Sequence, residues 1–223
     1  MELLFDNANI ETLKEMSQIY PFSGVTSNPS IIKAEGKIDF YNHFKTIRSI
    51  IGEDRSLHIQ VVCDKADDML KEAYNVLEGI DKKVYIKVPV TEEGLKVIRR
   101  LKAEGLNVTA TAIYTSMQGL LAISYGADYI APYFNRIETM GDNPCQVIST
   151  FRKDIDDNHS KTKILAASFH ETVQVEQAIN AGAQSITIQP KLLKAWMGLD
   201  CISKAVKDFA ADWKNYQGKD NLL

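Results

Sequence analysis

The sequence predicts an α/β fold: a single-domain (β/α)8 TIM barrel over residues 1–199, with an additional C-terminal helix and tail over residues 200–223. Three observations predict it. Eight short, apolar, β-rich runs occur along the 223 residues. Most are followed by a longer stretch with helical spacing of its apolar residues. Successive runs begin a few tens of residues apart, as a strand–helix unit requires, and eight such units in series close into a parallel barrel.

The runs are Glu2–Asp6, Gly24–Thr26, Leu57–Val62, Val84–Val88, Asn107–Thr111, Asp128–Ala131, Lys163–Ala167 and Ser185–Ile188. The fourth, Val-Tyr-Ile-Lys-Val, is apolar almost throughout, which suits a strand covered on both faces. Ile10, Leu13, Met16 and Ile19 form one helical face after the first run, and Ala66, Met69, Leu70, Ala73 and Leu77 form another after the third. Leu95, Ile98 and Leu101 follow the fourth, and Val173, Val175, Ala178 and Ile179 follow the seventh. Thr91 precedes Glu92 and Glu93, a cap with acidic charge on the first turn, where the helix dipole favours it. Gly105, Gly126 and Gly182 each stand just before a strand, where glycine ends a helix. Lys191–Met197 supplies the eighth helix. Asp200–Tyr216 is a further one, with Ile202, Ala205, Val206, Phe209, Ala210 and Trp213 on one stripe; the stripe packs either on its own barrel or on a neighbouring subunit.

Composition narrows the function classes. The chain is 45% hydrophobic and 25% charged, with a formal net charge of −3 and no basic stripe, which argues against nucleic acid as a partner. An anionic substrate must then meet a local cationic site. No apolar run approaches the roughly 18 residues of a membrane span, and the N-terminal residues lack signal-peptide architecture, so a cytoplasmic location is expected. Cys63, Cys145 and Cys201 are far apart and form no CxxC or CxxH pair; reduced, buried thiols are expected, with no metal site.

Polar residues stand where strand ends should open onto the catalytic face of a barrel. Lys87 is flanked by Ile86 and Val88; if buried, its amine is deprotonated more easily and becomes a nucleophile toward carbonyls, although the pattern also fits a lysine reaching past the rim. Asp6 ends the first strand as either a helix cap or a carboxylate in the mouth. Thr26 and Ser27 end the second, followed by Asn28 before Pro29. Gln60 lies inside the alternating third run, Thr111 ends the fifth, Tyr133 follows the sixth with Arg136 three residues on, and Ser168 ends the seventh. Such a set would converge an amine, a carboxylate, amides, hydroxyls and a guanidinium on one mouth, with Arg136 and Ser168 suited to phosphate.

The stretches GVTSNPSII (24–32), IQV (59–61), IKVPVTEEGL (86–95), LKAEGLNVTATAIY (101–114), QGLLA (118–122), APYFNRI (131–137) and ILAASF (164–169) together resemble the transaldolase family, in particular its small Schiff-base aldolases. The resemblance implies that Lys87 forms the imine and Asp6 orients the adduct. It implies that Thr26 and Asn28 contact the dihydroxyacetone part, and that Gln60, Thr111 and Tyr133 hold a catalytic water. Arg136 and Ser168 would bind phosphate, and no cofactor is implied. Relatives that transfer the three-carbon unit usually carry Glu at the position of Gln60 and Phe at that of Tyr133. The residues present here favour reversible cleavage of fructose 6-phosphate to dihydroxyacetone and glyceraldehyde 3-phosphate. Transfer between fructose 6-phosphate and erythrose 4-phosphate is the alternative, and an idle barrel serving as a binding module the third reading. The resemblance also implies a homo-oligomer, a pentamer or a decamer, in which the C-terminal helix crosses to a neighbour. Partners are thus sugar phosphates and further copies of the chain, not nucleic acid or membrane.

Overall fold

The computed structural model describes residues 1–223. They group into two compact units, Met1–Pro190 and Lys191–Leu223. In the first, the strands are β1 (Glu2–Asp6), β2 (Gly24–Thr26), β3 (Ser56–Gln60), β4 (Tyr85–Pro89), β5 (Val108–Ile113), β6 (Tyr129–Pro132), β7 (Lys163–Ala166) and β8 (Ser185–Ile188). Each pairs in parallel with the next, and β8 pairs with β1, closing the expected barrel.

Helices cover the outside. α1 (Ile10–Ile19) is capped by Asn9, whose side chain accepts from the Thr12 amide. Two connections hold a pair of helices each: α2 (Pro29–Ala34) and α3 (Phe40–Ile51) after β2, and α7 (Phe134–Thr139) and α8 (Pro144–Asp157) after β6. Single helices follow the other strands: α4 (Ala66–Gly79), α5 (Glu92–Ala103), α6 (Ser116–Ser124) and α9 (Thr172–Asn180). The expected cap at Thr91 forms, with its hydroxyl accepting from the Gly94 amide at 3.0 Å. Gly105, Gly126 and Gly182 take positive φ and end α5, α6 and α9, as expected. At Gly94 a Cβ would lie 1.8 Å from the Pro89 carbonyl oxygen, so the first turn of α5 can sit against the end of β4 only with glycine there.

Strand alternation fills the barrel with layered side chains. Leu4, Tyr129 and Leu165 form one buried cluster with Tyr85 against it. His58 stacks on the Tyr85 ring at 4.7 Å and meets Tyr129 edge-on at 5.1 Å. Its ring nitrogens lie 2.7 Å from Thr109 Oγ1 and 2.9 Å from Ser56 Oγ. Burial, together with the positive charges of Lys87 and Arg48, holds this imidazole well below its usual pKa, so it stays neutral. Nearer the N-terminal end, Glu2 accepts from Ser185 at 2.7 Å and from Tyr129 at 3.0 Å and pairs with Lys163. The interior is therefore a packed floor beneath the catalytic mouth.

The second unit holds α10 (Pro190–Met197, beginning at the last residue of the first unit) and α11 (Asp200–Gln217). Gly218, in the left-handed region, closes α11 by donating to the Lys214 carbonyl at 2.8 Å. Ile202, Val206 and Phe209 of the α11 stripe are exposed. No helix is long and apolar enough to cross a membrane.

The cysteines correct one expectation. All three are free, but none is buried: Cys63 and Cys201 are exposed and Cys145 is intermediate. Cys63 lies just beyond β3, in a loop where its thiol donates to the Glu72 carboxylate at 3.1 Å. Cys145 sits in the first turn of α8 and Cys201 in that of α11, so none of the three faces the barrel core.

Candidate active site

Ile86 and Val88 are fully buried on the helix-facing side of β4. The period of two therefore turns Lys87 inward, where it is only 4% exposed. That settles the choice between a rim lysine and a buried one. Its Nζ donates to the Ser27 carbonyl at 2.8 Å. Loss of hydration lowers its pKa, and the nearby Asp6 carboxylate opposes part of that shift. A neutral amine keeps this hydrogen bond and still has a lone pair to offer.

Asp6 ends β1 and accepts from the Thr26 hydroxyl at 2.7 Å. Thr26 has one proton and uses it there, so the Thr187 hydroxyl, 2.7 Å away, donates to Thr26. Desolvation raises the Asp6 carboxyl, against the pull of Lys87 and the Thr26 hydrogen bond. Both members of the pair are thus displaced toward their neutral forms, because the mouth is poor in water.

On the adjacent strand β3, Gln60 is the register partner of Lys87. Its Oε1 is buried without a hydrogen-bond partner. Such an acceptor costs stability unless a ligand atom or an ordered water meets it. The Thr111 hydroxyl donates to the Tyr133 phenol oxygen at 3.2 Å. Burial raises the Tyr133 pKa, with Asp6 adding to the shift and Thr111 and Arg136 opposing it, so the phenol holds its proton. The β5–β6 register shifts between Ala110 and Ile113, and Ala112 takes φ 55°. This bulge lies next to Thr111, and bulges of this kind re-aim side chains at barrel rims.

Asn28 caps α2: its Oδ1 accepts from Ser30 N at 3.0 Å and Ile31 N at 3.1 Å. That leaves its amide hydrogens for a ligand. Arg136 is exposed on α7, one turn beyond Tyr133. Ser168 follows β7 at φ 62°, and its carbonyl accepts from Asn135 N at 3.1 Å, which joins the Ser168 loop to α7. Of the nine residues expected at the mouth, Asp6, Thr26 and Gln60 end their strands, Lys87 and Thr111 lie within theirs two residues before the end, and Asn28, Tyr133, Arg136 and Ser168 lie beyond the strand ends. Hydrogen bonds join Asp6 to Thr26 and Thr111 to Tyr133, whereas Asn28, Arg136 and Ser168 are placed by the elements that carry them.

Four contributors escaped the sequence. Thr187 supplies the missing polar group at β8, and alternation along Ser-Ile-Thr-Ile could have found it. Ser27 acts through its carbonyl, which side-chain chemistry cannot reveal. Gln118 and Gln174 stand at the third position of α6 and α9; each accepts from two loop amides, a role visible only as a capping box. A cavity of about 620 Å³ opens at the opposite end of the barrel beside Glu2, Lys163, Lys83 and Glu53. Those charges pair with one another, and that end of a barrel serves stability.

The family described as "Transaldolase/Fructose-6-phosphate aldolase" matches residues 3–219. The chain is similar to a "Probable fructose-6-phosphate aldolase" of Streptococcus pneumoniae (strain ATCC 700669 / Spain 23F-1), with 44% identity over 213 residues and 96% of each chain covered.

The electrostatics generate a signed prediction. Asp6 is the one charge that favours the Lys87 ammonium. Asp6→Asn should therefore lower the Lys87 pKa further and move the acid limb of its reaction with a small carbonyl compound to lower pH. Reductive alkylation at Lys87, followed against pH by mass spectrometry, measures this; a limb that stays put or moves to higher pH would contradict it.

Proposed function

Since this chain belongs to the Transaldolase/Fructose-6-phosphate aldolase family, we propose that it is a Schiff-base aldolase that reversibly cleaves fructose 6-phosphate to dihydroxyacetone and glyceraldehyde 3-phosphate. The observation that carries this reading is the buried Lys87 amine on β4, desolvated and hydrogen-bonded only through a carbonyl acceptor.

The neutral Lys87 amine adds to the C2 carbonyl, and loss of water from the carbinolamine gives an iminium. The C3–C4 bond then breaks. Its electrons pass into the iminium to give an enamine, and the C4 hydroxyl loses its proton to a water held by Gln60, Thr111 and Tyr133. Glyceraldehyde 3-phosphate leaves. Tyr133, kept protonated by burial, gives its proton through the same water to C3 of the enamine and takes back the one released from the C4 hydroxyl, so the relay ends as it began. Hydrolysis of the resulting iminium frees dihydroxyacetone and Lys87. Asp6 and the Asn28 amide face the hydroxyls of the three-carbon unit, with Thr26 holding Asp6. Arg136 and Ser168 take the phosphate.

Transaldolase transfer is the second reading, and the unpartnered Gln60 Oε1 bears on it. A water taken up by this acceptor and shared with the Tyr133 phenol would let the enamine be protonated without an acceptor sugar. We further propose a cytoplasmic homo-oligomer, a pentamer or a decamer, in which α11 lays its exposed stripe on a neighbouring copy. Light scattering that returned the monomer mass would remove that part.

Product analysis separates the readings. Fructose 6-phosphate alone should release free dihydroxyacetone, and Tyr133→Phe should cut that release by about 100-fold while transfer to erythrose 4-phosphate is largely kept. Release that needs erythrose 4-phosphate in the unaltered protein would favour transferase chemistry, and undiminished release by Tyr133→Phe would take the phenol out of the relay.

A further inference from the structure

One side chain ties together the two segments that carry the proposed phosphate contacts. Gln174, 5% exposed, is the third residue of α9. Its Oε1 accepts from His170 N at 2.8 Å and Glu171 N at 3.2 Å, which secures the loop that leaves β7 through Ser168. Its Nε2 donates to Asn135 Oδ1 at 3.0 Å and Glu138 Oε2 at 2.6 Å. Those two acceptors bracket Arg136 on α7. Every hydrogen-bonding position of the amide is filled.

The two halves of this amide serve different ends. A helix cap needs only the carbonyl half. The amino half, buried and directed at another helix, does nothing for α9. It holds α7, a helix of six residues that is too short to keep its orientation through its own turns. Backbone bonds from Phe134 N to Ala167 O at 2.9 Å and Asn135 N to Ser168 O fix the start of α7, so Gln174 governs the turn on which Arg136 sits. Gln118 offers an internal comparison. It holds the same position in α6 and accepts from Tyr114 N and Thr115 N, but its Nε2 donates to the Val90 carbonyl at 2.9 Å. It therefore ties the Thr111 loop to the end of β4, away from Arg136 and Ser168.

We propose that Gln174 is a positioning residue for phosphate specificity: it sets the placement of Arg136 relative to Ser168 and so the preference for a phosphorylated aldehyde over its unphosphorylated counterpart. This rests on the reading of Arg136 and Ser168 as the phosphate contacts.

The test measures kcat and KM for addition of dihydroxyacetone to glyceraldehyde 3-phosphate and to glyceraldehyde. Gln174→Glu keeps an acceptor for the His170 and Glu171 amides, removes both N–H donors and sets a carboxylate against Glu138. It should raise KM for the phosphorylated aldehyde about tenfold, leave KM for glyceraldehyde within about twofold, and leave kcat for both nearly unchanged. Adding Glu138→Gln restores a donor facing position 174 and should recover most of the loss. Glu138→Ala leaves the cap intact and should shift the same KM by about threefold, so the question stays answerable if Gln174→Glu does not fold. Arg136→Ala separates the two layers of the argument. If it abolishes the phosphate preference while Gln174→Glu and Glu138→Ala preserve it, the positioning role is overturned alone. Equal losses on both aldehydes would likewise reduce Gln174 to a structural cap. If the unaltered protein shows no phosphate preference, the phosphate reading falls, and this proposal with it.

Discussion

The amine of Lys87 is kept out of water by the strand that carries it, and the remaining site features follow from that constraint. An ammonium at the same place would lose hydration worth several kcal/mol, with one carbonyl and one part-desolvated carboxylate to compensate. Burial therefore shifts Lys87 toward the neutral amine, and the Asp6 carboxylate opposes part of that shift. Ile86 and Val88 close the outer face of β4, and the layer of Tyr85, His58 and Tyr129 closes the barrel below. His58 belongs to this logic, since a charged imidazole there would put a buried cation beneath Lys87. Thr109 and Ser56 satisfy its nitrogens, and burial keeps it neutral.

A desolvated amine is useful only if its partners are held as firmly as it is. Three devices do so in this molecule. The Asp6–Thr26–Thr187 chain joins β1, β2 and β8 and directs the carboxylate into the mouth. The β5 bulge at Ala112, with Gln118 bracing the loop beyond it, fixes Thr111 against the Tyr133 phenol. Gln174 braces the opposite side, where Ser168 holds an uncommon backbone conformation next to α7. Each brace uses side-chain amides or hydroxyls buried within the rim, where hydrogen bonds are worth most and loops are least free to move.

Much of this was legible in the residues. Strand–helix alternation gave the closed barrel, and three of its strands, β1, β2 and β8, run as read. Helix-ending glycines and the Thr91 cap were readable because they follow local rules. Lys87 was visible as a misfit in an apolar strand, yet whether it lay inside or at the rim depended on the register of Ile86 and Val88 against the helices. The end of β5 was misplaced because a bulge carries its strand past Thr111 to Ile113, and an alanine at positive φ leaves no trace in composition. Thiols expected in the core lie in a loop and in the first turns of helices, since hydrophobic character alone does not say which face a cysteine occupies. Ser27 acts through its backbone, and Gln118 and Gln174 act across helices, so each needed the assembled molecule to be seen.

The proposed chemistry requires that Lys87, and no other lysine, forms an imine with a three-carbon ketone. Treating the protein with dihydroxyacetone and borohydride, then locating the modified peptide by mass spectrometry, tests it directly. A single reduced adduct is expected on the peptide containing Lys87, absent from Lys87→Met. No adduct, or an adduct mapped to a different lysine, would contradict it.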